Sequence, residues 1–456
     1  MNTSYQTISA AQKKFYLTEK TKPLAFRLAM LEKLRIAILR NQNTLIQAVG
    51  RDLHKSPTET YMTEIGILLD EIRYHQKHLA MWSKEKRVST PISLFPSRCF
   101  SAPEPYGTVL IIAPWNYPIQ LALMPLIGAI SAGNCAVIKP SEYAPASALA
   151  LEKLLHDTFP QEYITVVQGG IQETKMLLKQ RFDYIFFTGS PAVGKVVMEE
   201  AAQHLTSVTL ELGGKSPVIV DDTANLKLAA RKIAFGKVLN AGQICIAPDY
   251  LLIDEKCLNE FLRYYRVALK RFSKDGNYTE MPYIINQKHF ERLCSLMEGE
   301  QIAIGGQTDA SRRFISPTVL VNVAEDSPIM QQEIFGPILP ILTYRKKEDC
   351  IRFIQAREKP LALYIFSADK AYIRKVLSRC AFGGGCVNDV IMHAASNRLP
   401  FGGVGNAGMG AYHGKASYDT FTHWRGIVYG GQRLDIPLRY PPYSSLKDRI
   451  IRQFLK

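Results

Sequence analysis

Apolar positions recur at helical spacing early in the chain and gather into short continuous runs further on. Leu24, Leu28, Leu31 and Ile38 share one helical face, and Thr21-Lys22-Pro23 starts that helix with the proline in its first turn. A second long helix is expected from Pro57 to about Lys86, its Glu, Lys and Arg residues forming a solvated face. Residues 91–105 break the helical pattern, and 98–102 reads as an extended arm. Residues 105–138 carry no charge, which raises the question of a membrane span. Pro114, Pro118 and Pro125, with Asn116, Gly128 and Gly133, cut that run into pieces too short to cross a bilayer. It parses instead as a strand over 109–112, a turn, a helix over 121–131 and a strand over 136–138. Strands of such a βαβ unit are apolar on both faces because helices cover both.

The alternation continues with a helix over 146–158 and strands over 164–167 and 184–187. Thr188-Gly189-Ser190-Pro191-Ala192-Val193-Gly194 then reads as a tight turn into a helix, with Ser190 as N-cap and Pro191 at the first helical position. A helix end of this kind offers free N–H groups and a positive dipole to a phosphate. Beyond Leu212 a second α/β domain is expected, with strands at Pro217–Val220, 250–253 and Ala362–Phe366 and helices at Leu226–Val238 and Leu258–Phe272. The fold class is α/β.

Length changes the picture to the extent that 456 residues exceed one core and call for at least two domains. With 47% apolar and 21% charged residues the composition is that of a globular protein. The formal charge of +15 is spread along the chain without a helix-turn-helix or RNP-like pattern, so nucleic acid is not an expected partner. The exception is 433–456, where six basic residues accompany two acidic ones. There Leu446, Ile450, Ile451, Phe454 and Leu455 fall opposite Arg449, Arg452 and Lys456, with Lys447 intruding on the apolar side. Such a basic amphipathic tail suits either a membrane interface or the protein's own surface. Eight cysteines form no C-x-x-C pair, which argues against a disulfide framework and against a metal site. Residues 1–20 are polar and lack a secretory h-region, so the expected location is cytoplasmic, with the tail offering a peripheral membrane contact.

Candidate chemistry concentrates between Val208 and Cys245. Glu211 stands in the apolar run Val208-Thr209-Leu210-Glu211-Leu212, where burial would raise its pKa towards that of a general base. Cys245 follows the turn Asn240-Ala241-Gly242-Gln243-Ile244, a setting in which a thiolate nucleophile can form. The plainer alternatives are a buried ion-paired glutamate and one more core cysteine. Asn116, in Ala113-Pro114-Trp115-Asn116-Tyr117-Pro118, lies just past a strand's C-terminal end, where open α/β sheets bind ligands, although an asparagine there can simply cap a turn.

Glu211-Leu212-Gly213-Gly214-Lys215 and Gly242-Gln243-Ile244-Cys245 closely resemble the active-site signatures of aldehyde dehydrogenases. The ending Gly213-Gly214-Lys215-Ser216-Pro217, Ala247-Pro248-Asp249-Tyr250, and Leu399-Pro400-Phe401-Gly402-Gly403 with Gly408-Met409-Gly410 are similar to class 3, the fatty and aromatic aldehyde branch. The resemblance runs from Thr21 to about His423. It implies a Rossmann-type cofactor domain (1–86 and 105–210), an α/β catalytic domain (211–400), a bridging and oligomerisation arm (87–104 and 420–432) and the tail at 433–456. It implies that medium- or long-chain aliphatic or aromatic aldehydes are oxidised to carboxylic acids through a thiohemiacetal and thioester on Cys245. Asn116 would hold the oxyanion, and Glu211 would activate water. NAD or NADP is the implied cofactor, with Lys139 and Glu142 at the adenosine ribose and Gly189, Ser190 and Gly194 forming the dinucleotide turn. Glu333 would meet the nicotinamide ribose and Phe335 the ring. A homodimer is implied, with the arm strand around 421–429 pairing with its partner. Ile244 stands where the family has Thr or Val, and Gly383-Gly384-Gly385 is looser than the family's single Gly-Gly step. Two rival functions are a catalytically inactive structural or binding protein on the same fold and a cysteine hydrolase. A hydrolase would need a histidine such as His204 or His393 to activate Cys245.

Overall fold

A computed structural model describes residues 5–273 and 277–455, so Lys456 of the tail lies outside the described residues. Among the described residues two parallel-rich sheets, a three-stranded antiparallel sheet and a two-stranded one (Thr308–Asp309 with Phe314–Ile315) carry the chain. The first sheet has six strands in the order Gly408–Met409, Ser207–Glu211, Tyr184–Thr188, Thr108–Ile112, Cys135–Lys139 and Ile164–Val166. All pair in parallel except Gly408–Met409, which runs antiparallel along the edge beside Glu211. Thr108–Ile112 and Cys135–Lys139 are buried at every position, as strands covered by helices on both faces must be. Chain order reverses at Thr108–Ile112, which opens a crevice at the C-terminal ends of this strand and Tyr184–Thr188. Asn116 and the Gly189-Ser190 turn follow those two ends.

The second sheet has seven strands, Gln301–Ile304, Thr318–Val321, Ile338–Tyr344, Tyr250–Asp254, Pro217–Val220, Ala362–Phe366 and Gly384–Val387, parallel apart from the first. The Gly383–Gly385 run has a packing cause: a Cβ at Gly383 would strike the carbonyls of Gly402 and Leu361, and one at Gly385 the carbonyl of Leu363. The three-stranded sheet joins Lys86–Val88, Arg98–Pro105 and Thr422–Tyr429. The expected arm strand at 421–429 thus pairs within its own chain, along the whole of Arg98–Pro105.

The helix expected over 57–86 is interrupted. It comprises Pro57–Thr60, a π-turn at Tyr61–Ile65 and Gly66–Trp82, and the chain is extended again by Lys86. Its charged residues do not all form a solvated face either: Asp70 is exposed, but Glu64 and Glu71 are buried. Glu64 forms an ion pair of 2.8 Å with the equally buried Lys55, and its second oxygen accepts the Ile119 N–H at 2.9 Å. Ionic groups can enter a core only when paired and hydrogen-bonded in this way. Among the described residues no helix is long and apolar enough to cross a membrane.

The tail helix spans Ser445–Phe454 with Ser444 capping it. Leu446 and Leu455 are 65% and 69% exposed, while Ile450 and Ile451 are half-buried.

Candidate active site

Cys245, Glu211 and Asn116, far apart in sequence, line one apolar cavity of about 190 Å³. Leu121, Leu212, Phe235, Ile244, Phe401 and Tyr412 supply much of its wall. Glu211 ends its strand between Thr188 and Gly408. Neither carboxyl oxygen has a hydrogen-bond partner, and burial pushes the carboxyl well above its usual range. The ion-paired alternative for Glu211 is therefore absent.

Cys245 is half-buried, and its thiol is pushed up, first by burial and then by the carboxyls of Glu333 and Glu211. The backbone N–H groups of Cys245 and Ile246 act in the opposite direction and weigh less. This corrects the expectation of a polar turn: Asn240, Ala241, Gln243 and Ile244 are buried, and burial favours the thiol over the thiolate. Of the two histidines such a hydrolase could draw on, His393 contacts Cys386 Sγ at 3.6 Å and His204 the Lys179 carbonyl at 3.4 Å.

The turn before Cys245 places Asn240, Ala241 and Gly242 in succession at φ 48°, 52° and 69°. Only Gly242 adopts this region freely, and a Cβ there would also collide with the Gly336 carbonyl. Polar side chains hold the strained turn in place. The Asn240 backbone N–H donates to the Glu59 carboxylate at 2.8 Å, and its side-chain amide donates to the carbonyls of Asn116 at 2.8 Å and Gln243 at 3.1 Å. Gln243 donates to Asn240 and Tyr283 and accepts from Ile285. The Asn116 side-chain amide donates to the Gln243 carbonyl at 3.0 Å, which orients it and leaves its second N–H uncommitted. Asn240, Gln243, Glu59, Lys55 and Glu64 escaped the sequence reading. Buried polar residues beside a catalytic-looking turn were the available signal.

The expected cofactor residues Lys139, Glu142, Gly189, Ser190 and Gly194 lie at or just past the C-terminal ends of strands in the first sheet, while Glu333 and Phe335 pack on Gly213 and Trp115. Ser190 caps the helix Pro191–Ala202 by accepting the Val193 N–H at 3.4 Å. Gly189 donates to the Glu211 carbonyl at 3.0 Å, and Gly194 lets the helix lie on Leu212, whose Cδ2 would be 2.7 Å from a Cβ. Lys139 is buried where a solvated loop residue would be the ordinary reading, and it donates to the Pro140 carbonyl at 2.7 Å and Glu142 at 3.4 Å. Burial lowers its pKa, and Glu142 works against that. Glu333 packs on Gly213, and its Oε1 is buried without a partner. Burial, then Asp249, raises its pKa to about 8. Phe335 takes φ 52° and meets Trp115 edge-on at 5.4 Å. Lys215 pins this segment by donating to the Ile329 and Gln332 carbonyls, each at 2.8 Å. A free helix N-terminus, a glycine cradle and an orphaned carboxyl oxygen fit the phosphate and ribose parts of a dinucleotide. Among the described residues no cluster suits a metal ion.

The sequence pattern of the aldehyde dehydrogenase family matches residues 3–427. The chain is 49% identical over 448 residues to the 4,4'-diaponeurosporen-aldehyde dehydrogenase of Staphylococcus aureus, covering 97% of each. It is 45% identical to a dimeric NADP-preferring aldehyde dehydrogenase of Canis lupus familiaris, covering 93% of this chain and 94% of that one. Other relatives carry family 3 names, members A2 and B1 among them. The solved "Substrate bound state of Staphylococcus Aureus AldH" superposes with a TM-score of 0.96 at 47% identity, over 98% of this chain and 99% of that one. The chain belongs to the aldehyde dehydrogenase family, in its class 3 branch. It oxidises aldehydes to carboxylic acids with NAD or NADP.

Proposed function

We propose that the reaction runs through Cys245 as nucleophile, with Asn116 holding the oxyanion and Glu211 acting as base, and that the substrates are medium- or long-chain aliphatic or aromatic aldehydes. The observation that carries this reading is the convergence of those three side chains on one apolar cavity. Cys245 gives its thiol proton to the Glu211 carboxylate, and Sγ attacks the aldehyde carbon; Glu211 releases that proton to solvent before the later water step. The uncommitted Asn116 N–H and a backbone N–H near Cys245 receive the oxyanion. Lys139 and Glu142 hold the adenosine ribose, Gly189, Ser190 and Gly194 the phosphates, and Glu333 and Phe335 the nicotinamide end. Bound NAD or NADP supplies the hydride acceptor that the overall oxidation requires. Oxidation of the Cys245 adduct leaves a thioester on the same sulfur. Glu211, once ionised, takes a proton from water, which attacks the thioester carbon and releases the carboxylic acid. The dry wall keeps other water from the earlier adduct.

A homodimer is the proposed assembly, supported by the exposed apolar residues Val88, Val428 and Tyr429 on the arm sheet. The proposed location is the cytoplasm, with the tail resting on anionic membrane surfaces. Mixing the protein with a medium-chain aldehyde and either cofactor, and following the absorbance of reduced cofactor, tests the substrate class. Oxidation confined to short polar aldehydes would overturn it.

A further inference from the structure

The two groups that would receive the oxyanion hang from different sheets. Asn116 follows the strand Thr108–Ile112 of the first, and Cys245 ends the turn between the helix Leu226–Val238 and the strand Tyr250–Asp254 of the second. Contacts between the two loops must therefore set how far apart the donors stand. One short stretch, Lys55–Glu64, touches both loops. Lys55 and Glu64 form a fully buried ion pair of 2.8 Å. Lys55 Nζ also donates to the Asn116 carbonyl at 3.4 Å and lies 4.1 Å from the centre of the Tyr117 ring. The second Glu64 oxygen accepts the N–H groups of Ile119 at 2.9 Å and Gln120 at 3.3 Å, where the helix Gln120–Ala132 begins. The loop from Asn116 to Gln120 is thus held at both ends. Glu59 reaches the other loop by accepting the Asn240 N–H at 2.8 Å, at the first of the three left-handed positions before Cys245. Glu59 and Glu64 are five positions apart, which on an α-helix would turn them to different faces. The π-turn Tyr61–Ile65 adds a residue between them, so both carboxylates face the two loops. A buried ion pair stabilises little more than apolar residues of the same volume, and what it adds here is fixed geometry.

We infer that Lys55, Glu59 and Glu64 are positioning residues of the oxyanion site. The Lys55–Glu64 pair fixes the Asn116 loop, Glu59 fixes the turn that ends at Cys245, and together they set the distance between the Asn116 amide and the backbone N–H at Cys245. The inference rests on the proposed roles of Cys245 and Asn116. None of the three side chains lines the cavity at Cys245, so each acts through Asn116 or Asn240. Small displacements matter because hydrogen bonds weaken steeply with distance and angle, and a donor aimed away from the developing charge contributes little to its stabilisation. The predicted loss is therefore confined to steps that build an oxyanion, and reactions of the same sulfur without one are spared.

Two reactions of Cys245 separate these cases without any cofactor. The thiol displaces 4-nitrophenolate from 4-nitrophenyl acetate through a tetrahedral oxyanion, and displaces iodide from iodoacetamide without one. Both need the same loss of the thiol proton, so the ratio of the two rates isolates the oxyanion site. Acylation is read as the first release of 4-nitrophenolate, and alkylation from the mass of the Cys245 peptide. Asn116→Ala sets the scale, with the ratio lowered about a hundredfold by loss of the donor itself. Glu59→Ala lowers the ratio at least tenfold. Glu59→Gln, whose side-chain carbonyl still accepts the Asn240 N–H, restores it to within about threefold of native. Buried Cys135 stays unalkylated in any variant that has folded. Should Glu59→Ala fail that check, Lys55→Met combined with Glu64→Gln keeps the volume, leaves no buried charge unpaired and carries the same tenfold expectation. An unchanged ratio in a folded variant overturns the inference, as does an equal loss in Glu59→Ala and Glu59→Gln. A native chain whose Cys245 accepts neither reagent, or whose ratio survives Asn116→Ala, overturns the catalytic reading instead.

Discussion

At the scale of single residues, burial pushes both Glu211 and Cys245 towards the protonation state opposite to the one the proposed mechanism uses. Glu211 is an acid with no partner, and Cys245 is a thiol between two carboxyls. Both conditions follow from one cause, the dry wall that the oxidation step needs, so the chemistry must recover charge during the cycle. Replacing Cys245 by Ala is expected to lower turnover by roughly a thousandfold or more while cofactor binding, read by protein fluorescence, persists. The dinucleotide residues lie on other elements, so loss of both together would count against the assignment. Glu211→Gln keeps the shape but cannot accept a proton. Rapid mixing of that variant should show a burst of reduced cofactor followed by a slow phase, and a uniformly slow reaction without a burst would remove Glu211 from thioester hydrolysis. Glu211 and Cys245 were legible in the sequence because a carboxylate in an apolar run and a lone cysteine after a Gly-Gln turn are both locally odd. The state of the thiol was not legible, since it depends on Glu333, which lies 88 positions further along.

At the scale of elements, periodicity located almost every strand and helix that positions the site, and its failures share one physical origin. Residues 57–86 look amphipathic, with charges that suit water. Yet the π-turn shifts the register, and Glu64 turns inward to Lys55 and the loop carrying Asn116. Helical spacing cannot show this because the compensating partners are remote in sequence. The tail is the reverse case, where the pattern was plain and the structure leaves Leu446 and Leu455 exposed. The helix Ser445–Phe454 leaves Leu446 in water, next to Arg449 and Arg452. A basic helix of this kind gains about 1 kcal/mol per Lys or Arg at an anionic surface. Sedimentation with vesicles should therefore require anionic lipid, weaken with added salt and vanish when residues 445–456 are deleted. Equal sedimentation of intact and truncated chains would rule the contact out.

At the scale of the whole molecule, the chain passes from the six-stranded sheet to the seven-stranded one between Glu211 and Pro217, and titrating groups buried near that crossing tie stability to pH. Two of them give opposite pH signatures. Burial lowers the pKa of His413 to about 4 from 6.5, so the native state holds fewer protons than the unfolded chain between those values. Its contribution is therefore intact above pH 6.5 and is lost as the pH falls towards 4. Burial and Asp249 raise Glu333 to about 8 from 4.5, so the native state holds more protons across that window. Its contribution is intact below about pH 4.5 and is lost as the pH rises to 8. His413→Asn, which tolerates the φ of 77° at this position, should flatten the acid side of the stability curve relative to the native protein. The relief should be up to about 3 kcal/mol, since each pKa step is worth about 1.4 kcal/mol. Glu333→Gln should flatten the alkaline side instead. Urea unfolding of the three proteins at pH 4.5, 6.5 and 8 decides the matter: the native-minus-variant difference must grow in opposite directions for the two substitutions. A common direction would mean that the two groups do not titrate as their burial requires.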